Sequence, residues 1–326
     1  METSFENSIE WAFLRYQPHQ DWTIRAGRIG FDLFMLSEYR NVGFAYLWSR
    51  PPLEYYGILS IPNFDGLDLA WTMPLGEGNL RIKAITGDTR IHIKFGDQKT
   101  KFEPKDLIGV TIGWESERWR IRASANQASL GEEDEYLNGS EPLAYGLLQA
   151  APVWPEAAAL ADSFLVKDDR VIYYALGLAY TDNPWQIQSE LSYADSKTVA
   201  FTSQIAGYFS LGYQIDHFTP YVILSTSRTE GDPTLVPDPP PIPIPAVAAQ
   251  LNMLQAGTQF FYDAFRIDQD GLSVGLRWDI RYDMAIKAQW DHSRVNQHGY
   301  ALWEGLTIPQ KDHAINTLSI NWNVVF

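Results

Sequence analysis

Hydrophobic residues recur at every second position through most of this chain. At its end, Leu318, Ile320, Trp322, Val324 and Phe326 alternate with Thr317, Ser319, Asn321 and Asn323. A period of two places the first set on one face of a strand and the second set on the other. The same alternation sets Leu272, Val274, Leu276 and Trp278 against Ser273, Gly275, Arg277 and Asp279. It sets Ile108, Val110, Ile112 and Trp114 against Gly109, Thr111 and Gly113, and Trp119, Ile121, Ala123 and Ala125 against Arg120, Arg122, Ser124 and Asn126. Read throughout, the pattern predicts strands at 6–16, 21–29, 64–72, 79–88, 106–115, 117–126, 170–181, 184–194, 201–213, 217–227, 271–281, 283–293 and 315–326.

Two arrangements accommodate strands with one apolar side: a closed sandwich core and a cylinder whose apolar side faces lipid. Trp placement separates them. Trp22, Trp71, Trp114, Trp119, Trp185 and Trp278 fall on the apolar side, mostly at strand ends. A packed core admits few such rings because each indole N–H needs a partner. A belt at strand ends is where an indole sits half in lipid and half in water. The connections point the same way. Tight joins at 17–20, 73–78, 116, 182–183, 214–216 and 282–283 alternate with mostly long ones at 30–63, 89–105, 127–169, 228–270 and 294–314. Short turns at one end and long loops at the other characterise a membrane β-barrel. The fold class is therefore all-β, a transmembrane antiparallel barrel, with 1–326 forming one domain.

Composition narrows the chemistry. Twenty-five Lys and Arg against 40 Asp and Glu give a net charge of −15, which argues against a duplex nucleic-acid partner. With no cysteine, disulfides, thiolate metal sites and thiol nucleophiles are excluded. Mean hydropathy is −0.22, and no apolar run reaches the roughly 20 residues of a membrane helix. The opening from Met1 to Asn7 lacks the basic and apolar regions of a signal peptide. Asp238 to Pro245 reads as a stiff polyproline segment, followed by a short helix at Ala246–Gln255. An Ala-rich helix is also expected after Pro155. Glu132 to Glu135 lacks EF-hand spacing; it reads as a solvated acidic tip, with divalent ions shared with lipopolysaccharide phosphates as the alternative. No GxSxG or HExxH motif is present, and His19, His92, His217, His292, His298 and His313 are scattered. An enzyme is not expected, and neither a metal nor an organic cofactor is called for.

The segment 30–63 is the exception among the loops. It is rich in Phe, Tyr, Leu and Trp and carries Pro51 and Pro52. A loop so apolar packs against something, and in a barrel the place for it is the lumen. Its neighbours supply charge. Arg25, Arg81, Lys83, Arg120 and Arg122 occupy inward positions, with Arg118 at the rim; the loop offers Asp32, Glu38 and Glu54, with Asp65 at its far end. Either a basic wall faces an acidic loop and sets up a transverse field, or each Arg pairs with a loop carboxylate and fixes the loop in place. Arg50 is a candidate to bridge loop and wall, although its direction is not readable from the sequence. Whether such a pore favours anions or cations stays open, since wall bases and net charge point in opposite directions.

The stretches Arg25 to Gly30, Ser37 to Tyr46 and Trp48 to Gly57 resemble a Gram-negative outer-membrane general porin family, with Phe44 where Tyr is usual. The resemblance covers the whole chain and ends on an aromatic residue, Phe326. It implies a water-filled channel for passive diffusion of small hydrophilic solutes and ions, embedded in outer-membrane lipid and lipopolysaccharide. It also implies a homotrimer, delivery to the barrel assembly machinery through Phe326, and a constriction role for 30–63. Loops 127–169 and 228–270 would be extracellular. General porins of this type have sixteen strands and place the constriction loop after the fifth. Here it follows the second, so three N-terminal strands and the signal peptide are expected to be missing. The alternatives are a non-conducting or truncated structural or receptor barrel and, further off, an outer-membrane hydrolase.

Overall fold

The computed structural model describes residues 9–37, 39, 41–58, 61–89, 91–95, 98–102, 104–129, 136, 140–165, 170–197, 202–297, 299, 302 and 312–325. Glu38, the acidic tip Glu132 to Glu135, and Phe326 lie outside them. The elements in chain order are β1 (Ala12–His19), β2 (Trp22–Gly30), a 3-10 turn (Gly43–Ala45), α1 (Leu53–Tyr56), β3 (Asn63–Leu75), β4 (Gly78–Asp88), β5 (Ile91–Phe95) and β6 (Gln98–Phe102). They continue with β7 (Lys105–Glu115), β8 (Trp119–Ser129), α2 (Glu141–Ala150), α3 (Glu156–Asp162), β9 (Arg170–Asp182), β10 (Trp185–Lys197), β11 (Thr202–Tyr213) and β12 (Phe218–Thr229). Last come α4 (Pro245–Ala264), β13 (Asp268–Arg281), β14 (Met284–Val295) and β15 (His313–Val324).

Thirteen strands form one antiparallel sheet in the order β1-β2-β3-β4-β7-β8-β9-β10-β11-β12-β13-β14-β15, each paired with its neighbours in sequence. All thirteen expected strands are present. The first is displaced: it begins at Ala12 rather than near residue 6 and runs to His19. Among the described residues β1 and β15 do not pair with each other, so the hydrogen-bonded order has two ends.

The register makes one surface continuous. Ile82 faces Ile112, Ile112 faces Ala123, Ala123 faces Leu176, and Leu176 faces Leu191 across five neighbouring strands. Leu176 is 60% exposed and Ile112 46%. The opposite face carries Ser124, Glu190, Ser210, Ser225, Gln269, Lys287 and Gln289, all buried. The sheet is thus apolar outside and polar inside, the reverse of a soluble core. Aromatic pairs gather on the outer face toward the short turns. Trp22 stacks on Trp71 at 6.0 Å, Trp119 meets Tyr180 at 4.5 Å, Trp185 meets Tyr213 at 4.7 Å, and Phe218 stacks on Trp278 at 5.7 Å.

The long connections hold more regular structure than periodicity suggested. A separate hairpin, β5–β6, occupies the join between β4 and β7. The helix after the polyproline run is α4, which extends from Pro245 to Ala264 instead of stopping at Gln255. Proline at its first position suits a helix start, since that N–H has no intrahelical partner. Helices α2, α3 and α4 share a second apolar cluster that buries Leu147, Trp154, Phe164, Leu251 and Tyr262. The loops 127–169 and 228–270 therefore pack on each other.

Candidate functional site

The segment between β2 and β3 lies on the polar inner face. Phe31, Leu33, Phe34, Leu36, Trp48 and Tyr55 are buried in one cluster with wall residues Phe64, Leu107, Tyr173, Tyr208, Tyr221 and Ile223. The space for this cluster is written into the wall as small residues. A Cβ on Gly177 of β9 would stand 2.6 Å from Met35 Sδ, and one on Gly271 of β13 would stand 2.6 Å from Glu54 Oε2. Glycine inside a strand commonly marks such a close approach.

Charge ties the near end of this segment to the wall. Lys83 Nζ of β4 donates to Asp32 Oδ2 at 2.6 Å, and Arg122 of β8 donates to Asp32 Oδ1. Arg122 also donates to the carbonyl of Asp32 and, at 2.9 Å, to that of Phe34. Burial pushes the Asp32 carboxyl up, but Arg122 and Lys83 outweigh it and hold the group below the ordinary carboxylate range. Arg120 donates to Tyr39 Oη at 2.6 Å and to Glu115 at 2.8 Å. Arg81 shares the inner face with Lys83, is exposed, and has no counter-ion among the described residues.

The far end is held by the opposite wall. Glu54 of α1 is buried and accepts hydrogen bonds from Ser225 of β12 at 2.7 Å, Gln269 of β13 at 2.7 Å and Ser293 of β14 at 2.9 Å. Gln289 Oε1 accepts the backbone N–H groups of Ser49 and Arg50 at 3.0 and 3.2 Å, and its amide returns to the Arg50 carbonyl at 3.1 Å. Lys287, wholly buried, donates to the carbonyls of Gly43 at 2.6 Å and Trp48 at 2.9 Å, and to that of Tyr46. Arg277 donates to the carbonyls of Phe44 and Tyr46 at 3.2 and 3.1 Å. On β10, Glu190 accepts from Met35 N at 2.9 Å, from Tyr208 Oη at 2.8 Å and from Tyr56 Oη. Burial and then the Glu190 charge raise the Tyr56 hydroxyl well above its ordinary value. Trp48 Nε1 donates to Ser210 of β11 at 2.6 Å and Asn321 of β15 donates to the Ser49 carbonyl, so one segment is bonded to β4, β8 and β10 through β15, which requires the sheet to curl around it.

The sequence-derived set divides under this geometry. Arg81 and Lys83 on β4 and Arg120 and Arg122 on β8 lie as a basic strip on the inner face with β7 between the two strands, and Asp32 bonds to Lys83 and Arg122. Arg25 instead pairs with Asp68 on the adjacent strand, at 2.8 Å, and stacks over Phe13 at 5.2 Å. Arg118 pairs with Asp182 at the rim, at 3.3 Å. Glu54 docks against β12 to β14, across from the strip. Asp65 is corrected outright: it shares the outer face with Leu67 and Leu69 and pairs with Arg28 at 2.8 Å. Asp65 and Asp68 differ in parity along β3, so only Asp68 points inward. Lys287, Arg277, Glu190 and Gln289 were not singled out from sequence, because the groups they hold on the inward segment lie far away in the chain. A charged residue on a polar face rich in Ser and Gly was the available signal. Among the described residues no three His, Asp or Glu side chains gather as a metal site.

No family model matches the sequence. No curated protein matches it either. Solved structures do. The outer membrane channel DcaP of Acinetobacter baumannii is 10% identical, with 94% of this chain and 72% of that chain covered and a TM-score of 0.47. OmpF of Salmonella typhi, in complex with daunomycin, is 12% identical, covering 92% and 74% with a TM-score of 0.47. OprB of Pseudomonas putida is 8% identical, covering 95% and 71% with a TM-score of 0.47.

Proposed function

We propose that this chain forms the wall of an outer-membrane channel, a porin, through which small hydrophilic solutes and ions diffuse passively. The observation that carries the reading is the inverted sheet: exposed Leu, Ile and Trp outside, buried Ser, Gln, Lys and Glu inside. Such a surface is at home where hydrocarbon lies on one side and water on the other. Segment 30–63 narrows the lumen, and the charges beside it set selectivity. Asp32 neutralises part of the basic strip, while Arg81 keeps no counter-ion among the described residues, which supports a preference for anions. The packed loops 127–169 and 228–270 face outward from the cell, among lipopolysaccharide, and the short turns face the periplasm. In the membrane the gap between β1 and β15 is bridged, since unpaired strand edges are not tolerated in hydrocarbon. A homotrimer, and delivery by the assembly machinery through Phe326, complete this reading; small residues such as Ala12, Ala26 and Gly207 on the outer face suit a flat subunit contact.

The number of wall strands bonded to 30–63 favours a second reading, a barrel plugged by its own loop. Planar-bilayer recording separates the two. Stepwise ohmic conductance from folded protein supports the channel; folded, inserted protein with no conductance supports the plug.

A further inference from the structure

A cavity of about 320 Å³ opens between the inward segment and the short-turn end of β7 to β11. It lies apart from the Asp32 clamp; Arg120, Tyr39 and Glu115, described above, form part of its rim, while Thr181, Gln186 and Gln188 have no role assigned so far. Its size is at the lower end of the range of small-molecule sites, roughly 300–1,000 Å³. Its lining has a definite chemical character. Gln186 and Thr181 make no side-chain hydrogen bond among the described residues, and Gln188 spends its amide N–H on Tyr208 at 2.8 Å, which leaves its carbonyl oxygen open. Tyr39 and Tyr46 line it as well, each with a cation over one ring face: Arg120 over Tyr39 at 5.7 Å and Lys287 over Tyr46 at 4.7 Å. Among the described residues the charged groups at the mouth are Glu115 and Glu117 against Arg118 and Arg120, with Asp182 behind Arg118. Arg120 is already paired with Glu115 at 2.8 Å, and Arg118 with Asp182 at 3.3 Å.

We infer that this cavity is a binding subsite for a neutral polyhydroxylated solute, a small saccharide. Both rim arginines are held in ion pairs, by Asp182 and Glu115, so the described rim presents no open cation to concentrate an anion. Free amide and hydroxyl groups present donors and acceptors side by side, which matches hydroxyls that donate and accept at once. Aromatic rings beside them offer apolar surface to the C–H face of a sugar ring, as in sites where a few placed polar groups orient a ligand against aromatic walls. Thr181, Gln186 and Gln188 sit on β9 and β10, whose register is unbroken here, so the polar groups are fixed by the wall and not by a loop. The inference rests on the channel reading for the solute's route to the site; binding itself does not depend on conduction.

The test is equilibrium titration of the detergent-solubilised full chain with maltose, followed by saturation-transfer NMR, with glycine as the zwitterionic control. The expected result is saturable maltose binding in the millimolar range, a Kd of about 1 mM being a free energy of about −4.1 kcal/mol. Glycine should not bind. Gln186→Leu should weaken maltose about fivefold, the scale of one neutral hydrogen bond. Thr181→Val makes the same prediction and replaces it if the first variant fails to fold; if both fail, the maltose-to-glycine contrast in the parent chain decides. No maltose binding, equal binding of glycine, or folded variants that bind as the parent does would each overturn the subsite. Binding without bilayer conductance would leave the subsite standing and remove the channel; conductance without binding would do the reverse.

Discussion

The ammonium of Lys83 lies 2.6 Å from Asp32 Oδ2, which joins a cation of the fourth wall strand to an anion of the inward segment. Lys83 is 4% exposed, and Asp32 is shared with Arg122 on the far side of β7. One carboxylate thereby fastens the segment to two strands that are not neighbours.

Asp32→Asn should release that fastening. Removing one partner from a buried ion pair leaves the other charge uncompensated and costs about 3–5 kcal/mol. The expected outcome is a lower unfolding temperature in detergent and noisier, larger single-channel currents. Unaltered currents and melting would mean that the pair fixes nothing.

The same carboxyl sets an acid limit. Its folded pKa is held below the unfolded value, about 3.9 for Asp, so its contribution is fully present above that value. It is lost as pH falls through the depressed folded pKa. Channel noise should therefore stay constant from neutral pH down to about pH 4 and rise only in stronger acid, and the Asp32→Asn channel should lack this transition.

Arg81 and Arg122 make a contrasting pair. Both were read from the sequence as lumen-lining bases, but Arg122 is engaged by Asp32 and Arg81 is not. In a KCl gradient, Arg81→Ser should move the reversal potential further toward cations than Arg122→Ser does. Equal shifts would show that the pairing with Asp32 does not mute Arg122.

Lys287→Met retains length and removes the charge. The carbonyls of Gly43 and Trp48 then lose their Lys287 donor in a buried place, at about 1–3 kcal/mol for each group left unsatisfied, while that of Tyr46 keeps Arg277. Limited proteolysis from within the lumen should cut between residues 43 and 48 in the variant and not in the parent protein. Equal resistance would assign the segment's position to its apolar cluster alone.

How much of this was legible beforehand depended on the range of the interaction. Strand positions such as Val110, Ile112 and Leu276 were readable because period two is a local property of the chain. The inward packing of 30–63 was readable because Phe31, Phe34 and Trp48 are too apolar for a solvated loop. Asp65 was misplaced because one step along a strand reverses the face, and β3 begins earlier, at Asn63, than the pattern indicated. Lys287 and Glu190 were missed because each answers groups more than 130 residues away: Glu190 is separated by 155 residues from Met35, and Lys287 by 239 from Trp48. No local pattern encodes such a pairing, although Gly177 and Gly271 mark the ground beneath it. The length of α4 was underestimated because Gly257, Thr258 and the aromatics Phe260 to Tyr262 are weak helix formers that packing against α2 overrides.

The alternation of environments across a single strand is the most direct test. The chain has no cysteine, so single cysteines can be placed without background. On β7, Val110 and Ile112 face outward and Thr111 and Gly113 inward. In lipid vesicles, Thr111→Cys and Gly113→Cys should react with a membrane-impermeant thiol reagent, whereas Val110→Cys and Ile112→Cys should not. Equal reactivity at all four positions, or the opposite alternation, would contradict a wall with hydrocarbon outside and water within.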